Sequence, residues 1–277
     1  MTPADFALFA RVLKERSGLV VTEEKCYLID SRLEPVARKH GHASVALLAA
    51  ALRGGRDAAL TRDIVEAMTT NESMFFRDTR PFQQFRSIVL PALLEARAAT
   101  RQLRIWSAAC AAGQEPYSLA MMLAEESARL AGWQVALVAS DISGEMVARA
   151  LTGSYSEFEV QRGLPLKYLV KYFEPDSGRW QLKPEILRMV QFRTVNLLED
   201  LATLGRFDAI FCRNVLLYFD AATKTALLDR LALMLPRDGF LFLGGAETML
   251  GVSDRFSSVA DERGLYRPMA RAAVAAK

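Results

Sequence analysis

Residues 102–120 read QLRIWSAACAAGQEPYSLA, and they decide the predicted fold. An apolar run over 103–106 passes into small residues and a single glycine, Gly113, after which a helical pattern begins. A strand, a tight loop and a helix start in this order are typical of the ligand-binding edge of a parallel sheet. The stretch lacks the glycine patterns of dinucleotide and Walker loops, and Glu115 at the helix entrance would repel a phosphate.

Apolar runs and helical patterns alternate from residue 103 onward. The predicted strands are 103–108, 135–140, 207–212 and 239–244. The predicted helices are 116–131, 143–151 and 221–235. Because the strands are continuously apolar, we expect both of their faces to be covered. The alternation predicts an α/β fold with a doubly wound, mostly parallel sheet.

Two later segments depart from this alternation. The block 153–195 contains short alternating pieces, RWQLKP and RMVQFRTV, after the turn-like EPDSG, and it predicts a small antiparallel β insertion. Beyond residue 250, RFSSV and GLYRP predict a last antiparallel strand or hairpin. The insertion would then stand on the main sheet as a small β-subdomain.

The N-terminal stretch carries helical patterns only. Thr2, Ser44 and Asp57 each stand before an apolar periodic run, where they can cap a helix, and no strand pattern appears before residue 100. We therefore predict an all-α domain over 1–68, followed by a second domain over 69–277.

Composition narrows the function classes. The chain has 277 residues, 51% hydrophobic and 24% charged, with a formal net charge of +3. This charge balance points to neither nucleic-acid binding nor membrane insertion, and no uncharged apolar run reaches the roughly 18 residues of a membrane span. The three cysteines have no metal-ligand spacing, so no metal site is expected, and their odd number without a pairing pattern predicts a reduced, cytoplasmic protein. A monomer is the default expectation.

Two acidic residues are candidate ligand contacts. Glu115 stands at a helix start, and Asp141 ends the strand in VALVASDIS, where an acid can accept both hydroxyls of a ribose. Alternatively, Glu115 stabilises its helix through the dipole, and Asp141 caps the next helix, although Ser143 already offers a cap. A ligand with positive charge and hydroxyl donors would suit both carboxylates. S-adenosylmethionine has a sulfonium, an ammonium and a ribose, and no phosphate.

Polar residues also follow a third strand, in FDAIFCRNVLLYFD at 207–220. Arg213, Asn214 and Tyr218 come just after the apolar run, where the ligands of such sheets bind. The alternatives are an ordinary solvated loop and a tyrosine used for packing.

Six segments together resemble a known family. TTNESMFFRD, IWSAACAAGQEPYSLAMML, ASDIS, VNLLE, FDAIFCRNVLLYFD and GFLFLGGAE, in this order, are similar to the bacterial chemotaxis receptor methyltransferases of the CheR type. The resemblance covers nearly the whole chain. It implies the S-adenosylmethionine-dependent methyltransferase fold, with S-adenosyl-L-methionine as methyl donor and S-adenosyl-L-homocysteine as product. It also implies transfer to glutamate carboxylates on the cytoplasmic helical domain of chemoreceptors, giving methyl esters for sensory adaptation.

The resemblance also implies site residues. The cofactor contacts of the family fall on Asn71, Ser73, Arg77, Glu115, Asp141, Asn196, Leu197, Arg213 and Asn214. Arg77 and Tyr218 match the positions next to the transferred methyl and are the predicted catalytic residues. Phe75 and Phe76, between these contacts, are predicted to pack in the core. The alternative is that they cover the adenosine of the cofactor.

The sequence departs from the family pattern at two places. Gln114 stands where many members have an acid, which weakens the electrostatic argument from Glu115. The turn at 172–182 is short and lacks the Gly-x-Gly of members that dock on a receptor C-terminal peptide, so we expect receptor recognition without that peptide. A basic stretch with Arg32, Arg38 and Lys39 is either a receptor contact or a solvated helix face.

Three rival functions stay open at this point. The first is an S-adenosylmethionine methyltransferase with another acceptor, although no basic-aromatic patch favours RNA. The second is a non-catalytic, cofactor-binding signalling module. The third, a nicotinamide-dependent oxidoreductase, is disfavoured by the missing glycine fingerprint.

Overall fold

The N-terminal part of the chain is a bundle of four helices. In the computed structural model, which describes residues 1–55 and 57–269, these are α1 (Pro3–Ser17), α2 (Cys26–Lys39), α3 (Val45–Arg53) and α4 (Ala58–Met68). The predicted caps at Thr2, Ser44 and Asp57 are confirmed, since each side chain accepts a backbone N–H of the first turn. The bundle has its own apolar core, which includes Phe9 and Ile64.

A segment over 69–79, called the strap below, leads from the bundle to a bent helix. This helix consists of α5 (Arg80–Gln84), a π-helical turn (Phe85–Val89) and α6 (Leu90–Ala96). The π turn ends two residues before Pro91, which has no N–H for an α-helical bond.

The remainder is built on a seven-stranded sheet with the order β6-β2-β1-β7-β8-β10-β9. Its strands are β1 (Gln102–Ala108), β2 (Gln134–Asp141), β6 (Val190–Thr194), β7 (Ala209–Cys212), β8 (Phe240–Phe242), β9 (Phe256–Ser258) and β10 (Leu265–Pro268). Neighbouring strands from β6 to β8 run parallel, and β10 is antiparallel to both β8 and β9. The predicted doubly wound α/β fold and the C-terminal antiparallel hairpin are therefore confirmed.

Three helices follow strands of the sheet: α7 (Gln114–Glu125), α8 (Gly144–Thr152) and α12 (Ala221–Met234). The prediction that the first of these extends to residue 131 is wrong, because α7 ends at Glu125. From there the chain turns through tight bonds such as Arg129 N–H to the Glu126 carbonyl, and Leu130 and Trp133 pack on the core. Tertiary packing here overrides a locally helical sequence.

The predicted insertion is a three-stranded antiparallel sheet. It contains β3 (Ser154–Ser156), β4 (Phe173–Asp176) and β5 (Arg179–Leu182), with helices α9 (Glu157–Gln161), α10 (Leu166–Tyr172) and α11 (Pro184–Leu187). The assignment of RMVQFRTV to this antiparallel sheet is wrong. Its strand β6 pairs parallel to β2 at the edge of the main sheet. An edge strand is covered incompletely and so alternates in polarity, as antiparallel strands do.

The sheet order reverses between β1 and β7, and this switch point defines the edge that matters for function. The bundle lies against that edge. Val20 N–H donates to the Tyr218 carbonyl at 2.9 Å, and the Glu66 carboxylate accepts the Gly144 N–H at 2.7 Å. Within residues 1–55 and 57–269, no helix has the length and apolarity that a membrane crossing requires.

Candidate functional site

A pocket lies outside the carboxyl ends of β1, β2 and β7, between the sheet, the strap and the bundle. Every residue predicted above as cofactor-binding or catalytic lines it: Asn71, Ser73, Arg77, Glu115, Asp141, Asn196, Leu197, Arg213, Asn214 and Tyr218. The fold thus brings together residues from five separate stretches of sequence. Their individual roles stay predictions.

The loop between β1 and α7 turns sharply at the pocket wall. Ala109 and Ala111 have positive φ angles of 54° and 48°, and Gly113 has a φ of 91°. A Cβ at Gly113 would lie 3.0 Å from the Tyr117 ring, so glycine is needed at this turn. The sharp turn lets α7 begin at once and places Glu115 in its first turn, buried at the pocket.

Glu115 belongs to a buried ionic cluster. Its Oε1 accepts a hydrogen bond from Ser107 Oγ at 2.8 Å, and its Oε2 accepts one from Arg213 Nη1 at 2.7 Å. Arg213, whose side chain is 1% exposed, also donates through Nη2 to Asp78 Oδ2 at 2.7 Å and to the Arg77 carbonyl at 2.8 Å. Two carboxylates flank one guanidinium, so the cluster keeps a net negative charge beside the pocket.

Asp141 joins the loops that follow β1 and β2. Its Oδ2 accepts the Ala111 N–H at 2.8 Å, and its Oδ1 accepts the Ser143 N–H at 3.0 Å. Burial raises the pKa of the Asp141 carboxyl, and its backbone N–H donors oppose this shift. Ser143 caps α8 by accepting the Met146 N–H at 3.2 Å. Asp141 is therefore not needed as the side-chain cap of α8.

The strap contributes Asn71, Ser73 and Arg77. Arg77 donates through Nη1 to the Glu72 carbonyl at 3.0 Å, and in the described part of the chain its guanidinium forms no ion pair. It is thus a cation of the pocket with free donors. Phe75 and Phe76 are buried against aromatic rings of the insertion, Phe75 edge-to-face with Tyr155 and Phe76 stacked on Tyr168, which confirms the prediction of core packing for them.

The segment after β7 contributes Asn214 and Tyr218. Asn214 has a φ of 60°, a left-handed conformation that asparagine tolerates better than most residues. Tyr218 ends a 3₁₀ turn (Leu216–Tyr218) and is partly buried.

Sequence reasoning missed several members of the site. Ser17 and Leu19 bring the bundle into the pocket wall, and no local pattern signals this contact. Gly18 between them marks the close approach of the bundle to the sheet domain, since a Cβ there would lie 3.0 Å from the Phe219 ring. Asp78 was also missed, although it directly follows Arg77 in the strap.

The structure also shows the surroundings of Gln114 and of Arg32 in the basic stretch. Gln114 donates through Nε2 to Glu159 Oε1 of the insertion at 3.4 Å and does not line the pocket, so Glu115 is the carboxylate that α7 presents to it. Arg32 donates to the Met68 and Thr69 carbonyls at 2.9 and 3.1 Å. It therefore caps the end of α4, and the basic stretch is not one open surface.

The donor set of the pocket fits S-adenosylmethionine. Carboxylates and amides suit an ammonium, a sulfonium and ribose hydroxyls, and the acidic cluster at the start of α7 disfavours phosphate. Within the described ranges, no three His, Cys, Asp or Glu side chains are grouped so that they could hold a metal ion.

Comparisons with known proteins agree with this chemistry. Residues 4–69 match the family model of the CheR methyltransferase all-alpha domain, and residues 71–265 match that of the CheR methyltransferase SAM binding domain. The chain is 42% identical to chemotaxis protein methyltransferase 1 of Pseudomonas aeruginosa, over 95% of this chain and 97% of that protein. It is 40% identical to the chemotaxis protein methyltransferase Cher2 of Pseudomonas putida, over 92% of this chain and 94% of that protein.

A third relative gives the same result. The chemotaxis protein methyltransferase of Vibrio parahaemolyticus is 40% identical over 91% of each chain. The matches span both the helical bundle and the sheet domain. The chain therefore belongs to the CheR methyltransferase family, with an all-alpha domain followed by a domain that binds S-adenosylmethionine.

Proposed function

We propose that this chain transfers a methyl group from S-adenosylmethionine to glutamate side chains of chemoreceptors, forming glutamate methyl esters. The observation that carries the proposal is the shared pocket: Arg77, with free guanidinium donors, and Tyr218 lie with the carboxylates Glu115 and Asp141 in one pocket. A carboxylate acceptor needs a cationic partner, and a sulfonium donor needs an acidic site. This pocket offers both.

For the cofactor, we assign Asp141 to the ribose hydroxyls and the Glu115 cluster to the positively charged part. The remaining pocket residues complete the cofactor contacts: Asn71, Ser73, Arg77, Asn196, Leu197, Arg213 and Asn214. The cofactor, when bound, supplies a methyl group on a positively charged sulfur that becomes a neutral thioether.

For the acceptor, we assign Arg77 to hold the glutamate carboxylate and Tyr218 to orient it with one hydrogen bond. The carboxylate is already ionised near pH 7, because the reference pKa of glutamate is about 4.3, so no general base is required. Positioning and exclusion of water by the strap and the bundle then supply the catalysis, roughly 7–11 kcal/mol in well-oriented cases.

For the partner, we infer binding of the cytoplasmic helical domain of chemoreceptors without a C-terminal docking peptide, and action as a cytoplasmic monomer. The short hairpin of the insertion supports the first point. Its strands β4 and β5 are joined by Ser177 and Gly178 alone, both with positive φ, which leaves no extended loop there.

The test is transfer of labelled methyl from S-adenosylmethionine to receptor cytoplasmic fragments, followed by release of methanol in mild base. We expect base-labile label with the wild-type chain. In Arg77→Ala the kcat should fall about 100-fold and in Tyr218→Phe about tenfold, with smaller changes in cofactor affinity, because both residues are assigned to the reacting carboxylate. Arg80→Ala, an exposed arginine next to the strap, serves as the matched control with unchanged kcat.

The outcomes separate the rival functions. Normal turnover in both variants would refute the catalytic assignment. Absence of label with intact cofactor binding would favour another acceptor or a non-catalytic module. Base-stable label would show methylation of a group other than a carboxylate.

A further inference from the structure

Glu247 lies after β8, at the same carboxyl edge of the sheet as the pocket. It ends the segment GFLFLGGAE. Its side chain is partly buried and does not line the pocket. Its contacts nevertheless reach the loop after β7, which carries Asn214 and Tyr218.

One carboxylate binds three backbone N–H groups from two loops. Glu247 Oε2 accepts from Asn214 N at 2.8 Å and from Gly244 N at 2.6 Å, and Oε1 accepts from Leu217 N at 3.3 Å. The Glu247 N–H in turn donates to the Gly244 carbonyl at 2.9 Å, which closes a tight turn under the carboxylate. Charge-assisted bonds of this kind are stronger than those between neutral groups.

Two of the three bonds hold the backbone of the loop after β7, at Asn214 and Leu217. Asn214 has a φ of 60°, a conformation that most residues avoid and that persists only when the surroundings fix it. Leu217 lies in the 3₁₀ turn directly before Tyr218. Fixing the backbone at these two positions therefore fixes where the Asn214 and Tyr218 side chains enter the pocket.

The close approach of the two loops is built into the backbone. A Cβ at Gly244 would lie 2.7 Å from Asn214 Nδ2, 2.8 Å from Glu247 Oε2 and 2.9 Å from Asn214 N. No side chain fits in that space, so glycine at this position lets the carboxylate reach the Asn214 N–H.

We propose that Glu247 is a positioning residue of the active site, which holds Asn214 for the cofactor and Tyr218 for the acceptor through their backbone. The proposal rests on the proposed function, because the roles of Asn214 and Tyr218 belong to it. Glu247 touches neither cofactor nor acceptor and acts only through these residues.

Glu247 has two arms: its bond to Asn214 N, which serves the cofactor, and its bond to Leu217 N, which serves Tyr218. Glu247→Ala and Glu247→Gln test the two arms separately. In Glu247→Ala both arms are lost, so S-adenosylhomocysteine should bind several-fold more weakly and kcat should fall about tenfold. In Glu247→Gln the amide oxygen still accepts from Asn214 and Gly244, but the amide nitrogen cannot accept from Leu217. The affinity for S-adenosylhomocysteine should then stay near that of the wild type, while kcat falls.

Glu262→Ala is the matched control. Glu262 is equally half-buried, and its Oε2 accepts from Gln84 Nε2 at 2.8 Å, away from the pocket. We expect wild-type affinity and kcat in this variant, even where its melting temperature falls as much as that of Glu247→Ala. Equal losses of kcat in the Glu262 and Glu247 variants would overturn the proposal.

A double-mutant cycle with Tyr218→Phe separates positioning from a merely structural role. If Glu247 acts through Tyr218, Glu247→Gln lowers kcat much less in the Tyr218→Phe background than in the wild type. The same factor in both backgrounds would overturn the assignment of the Tyr218 arm.

The binding readout stands even where the proposed function fails. If the wild type binds S-adenosylhomocysteine but methylates no receptor fragment, the choice of acceptor is wrong. The affinities for S-adenosylhomocysteine, measured by calorimetry, still test whether Glu247 positions Asn214. Weaker binding in Glu247→Ala with unchanged binding in Glu262→Ala supports it. Unchanged binding in both overturns it.

Discussion

The helical bundle and the loops around the pocket are held in opposite ways. In the bundle, helix starts are fixed by neighbours in sequence, as where Asp57 accepts N–H groups two and three residues ahead. Around the pocket, the contacts span long distances along the chain: Asp141 holds Ala111 across 30 positions, and Arg213 holds Glu115 across 98. Local rules explain how the bundle helices begin, whereas only the complete fold explains the pocket.

Backbone strain marks the same division. Of the nine non-glycine residues with positive φ in the described ranges, six lie in the strap or in the loops after β1 and β7: Phe76, Asp78, Thr79, Ala109, Ala111 and Asn214. In the bundle, positive φ among the described residues falls on glycines, such as Gly18 and Gly41. Strain of this kind persists only where surrounding contacts fix it, so the pocket loops depend on their distant partners.

Removing Glu115 should have the largest effect. In Glu115→Ala, the buried Arg213 keeps only the partly exposed Asp78 as a carboxylate partner. Because the buried Arg213 Nη1 loses its acceptor and the guanidinium loses its more buried carboxylate, we expect the free energy of unfolding to fall by about 3 kcal/mol. Cofactor binding should be lost at the same time. Urea unfolding and calorimetric titration with S-adenosylhomocysteine measure the two effects.

Ser107→Ala is the graded control for this prediction. It removes one of the hydrogen bonds to the same carboxylate, the bond of 2.8 Å to Oε1, and leaves the ion pair intact. The expected cost is about 1 kcal/mol, with measurable cofactor binding retained. Equal losses in the two variants would show that the ion pair is not what holds the cluster.

The same comparison explains what the sequence could predict. The caps of α1, α3 and α4, the strands β1, β2, β7 and β8 and the fold class follow from local patterns, because those patterns record how each element is buried or capped. Ten of the pocket residues were also predicted, but as a set only through the resemblance rather than through periodicity. From residue type alone, Glu115, Asp141 and Tyr218 could each contact a ligand or serve the structure.

The wrong predictions and the missed contacts have physical reasons too. The strand β6 alternates in polarity because it is an edge strand, so its parallel pairing with β2 was not visible. The pairing of Arg213 with Asp78 joins residues 135 positions apart and leaves no local trace. The entry of Leu19 into the pocket depends on how the bundle packs on the sheet, which no single element encodes.

Breaking a cap in the bundle should have a moderate and purely local effect. In Asp57→Ala, the α4 helix loses two hydrogen bonds of 2.9 Å, from Ala59 N and Leu60 N. The expected loss in the free energy of unfolding is about 1 kcal/mol. Because the pocket loops are held by other partners, we expect unchanged affinity for S-adenosylhomocysteine. An affinity that falls together with stability would show that the bundle and the pocket are one energetic unit.

The smallest effect should come from the first cap of the chain and should depend on pH. Hydrogen bonds from the Thr2 hydroxyl and the Thr2 N–H, and then from Arg53, lower the pKa of Asp5 from 3.8 to about 2. A carboxyl whose pKa is depressed in the folded state stabilises that state above its unfolded pKa, and this contribution is lost as the pH falls through the folded value. Urea unfolding of the wild type and Asp5→Asn should therefore differ most near pH 5 and converge towards pH 2. A difference that stays constant over this range would mean that the shape of the side chain, rather than its charge, holds the start of α1.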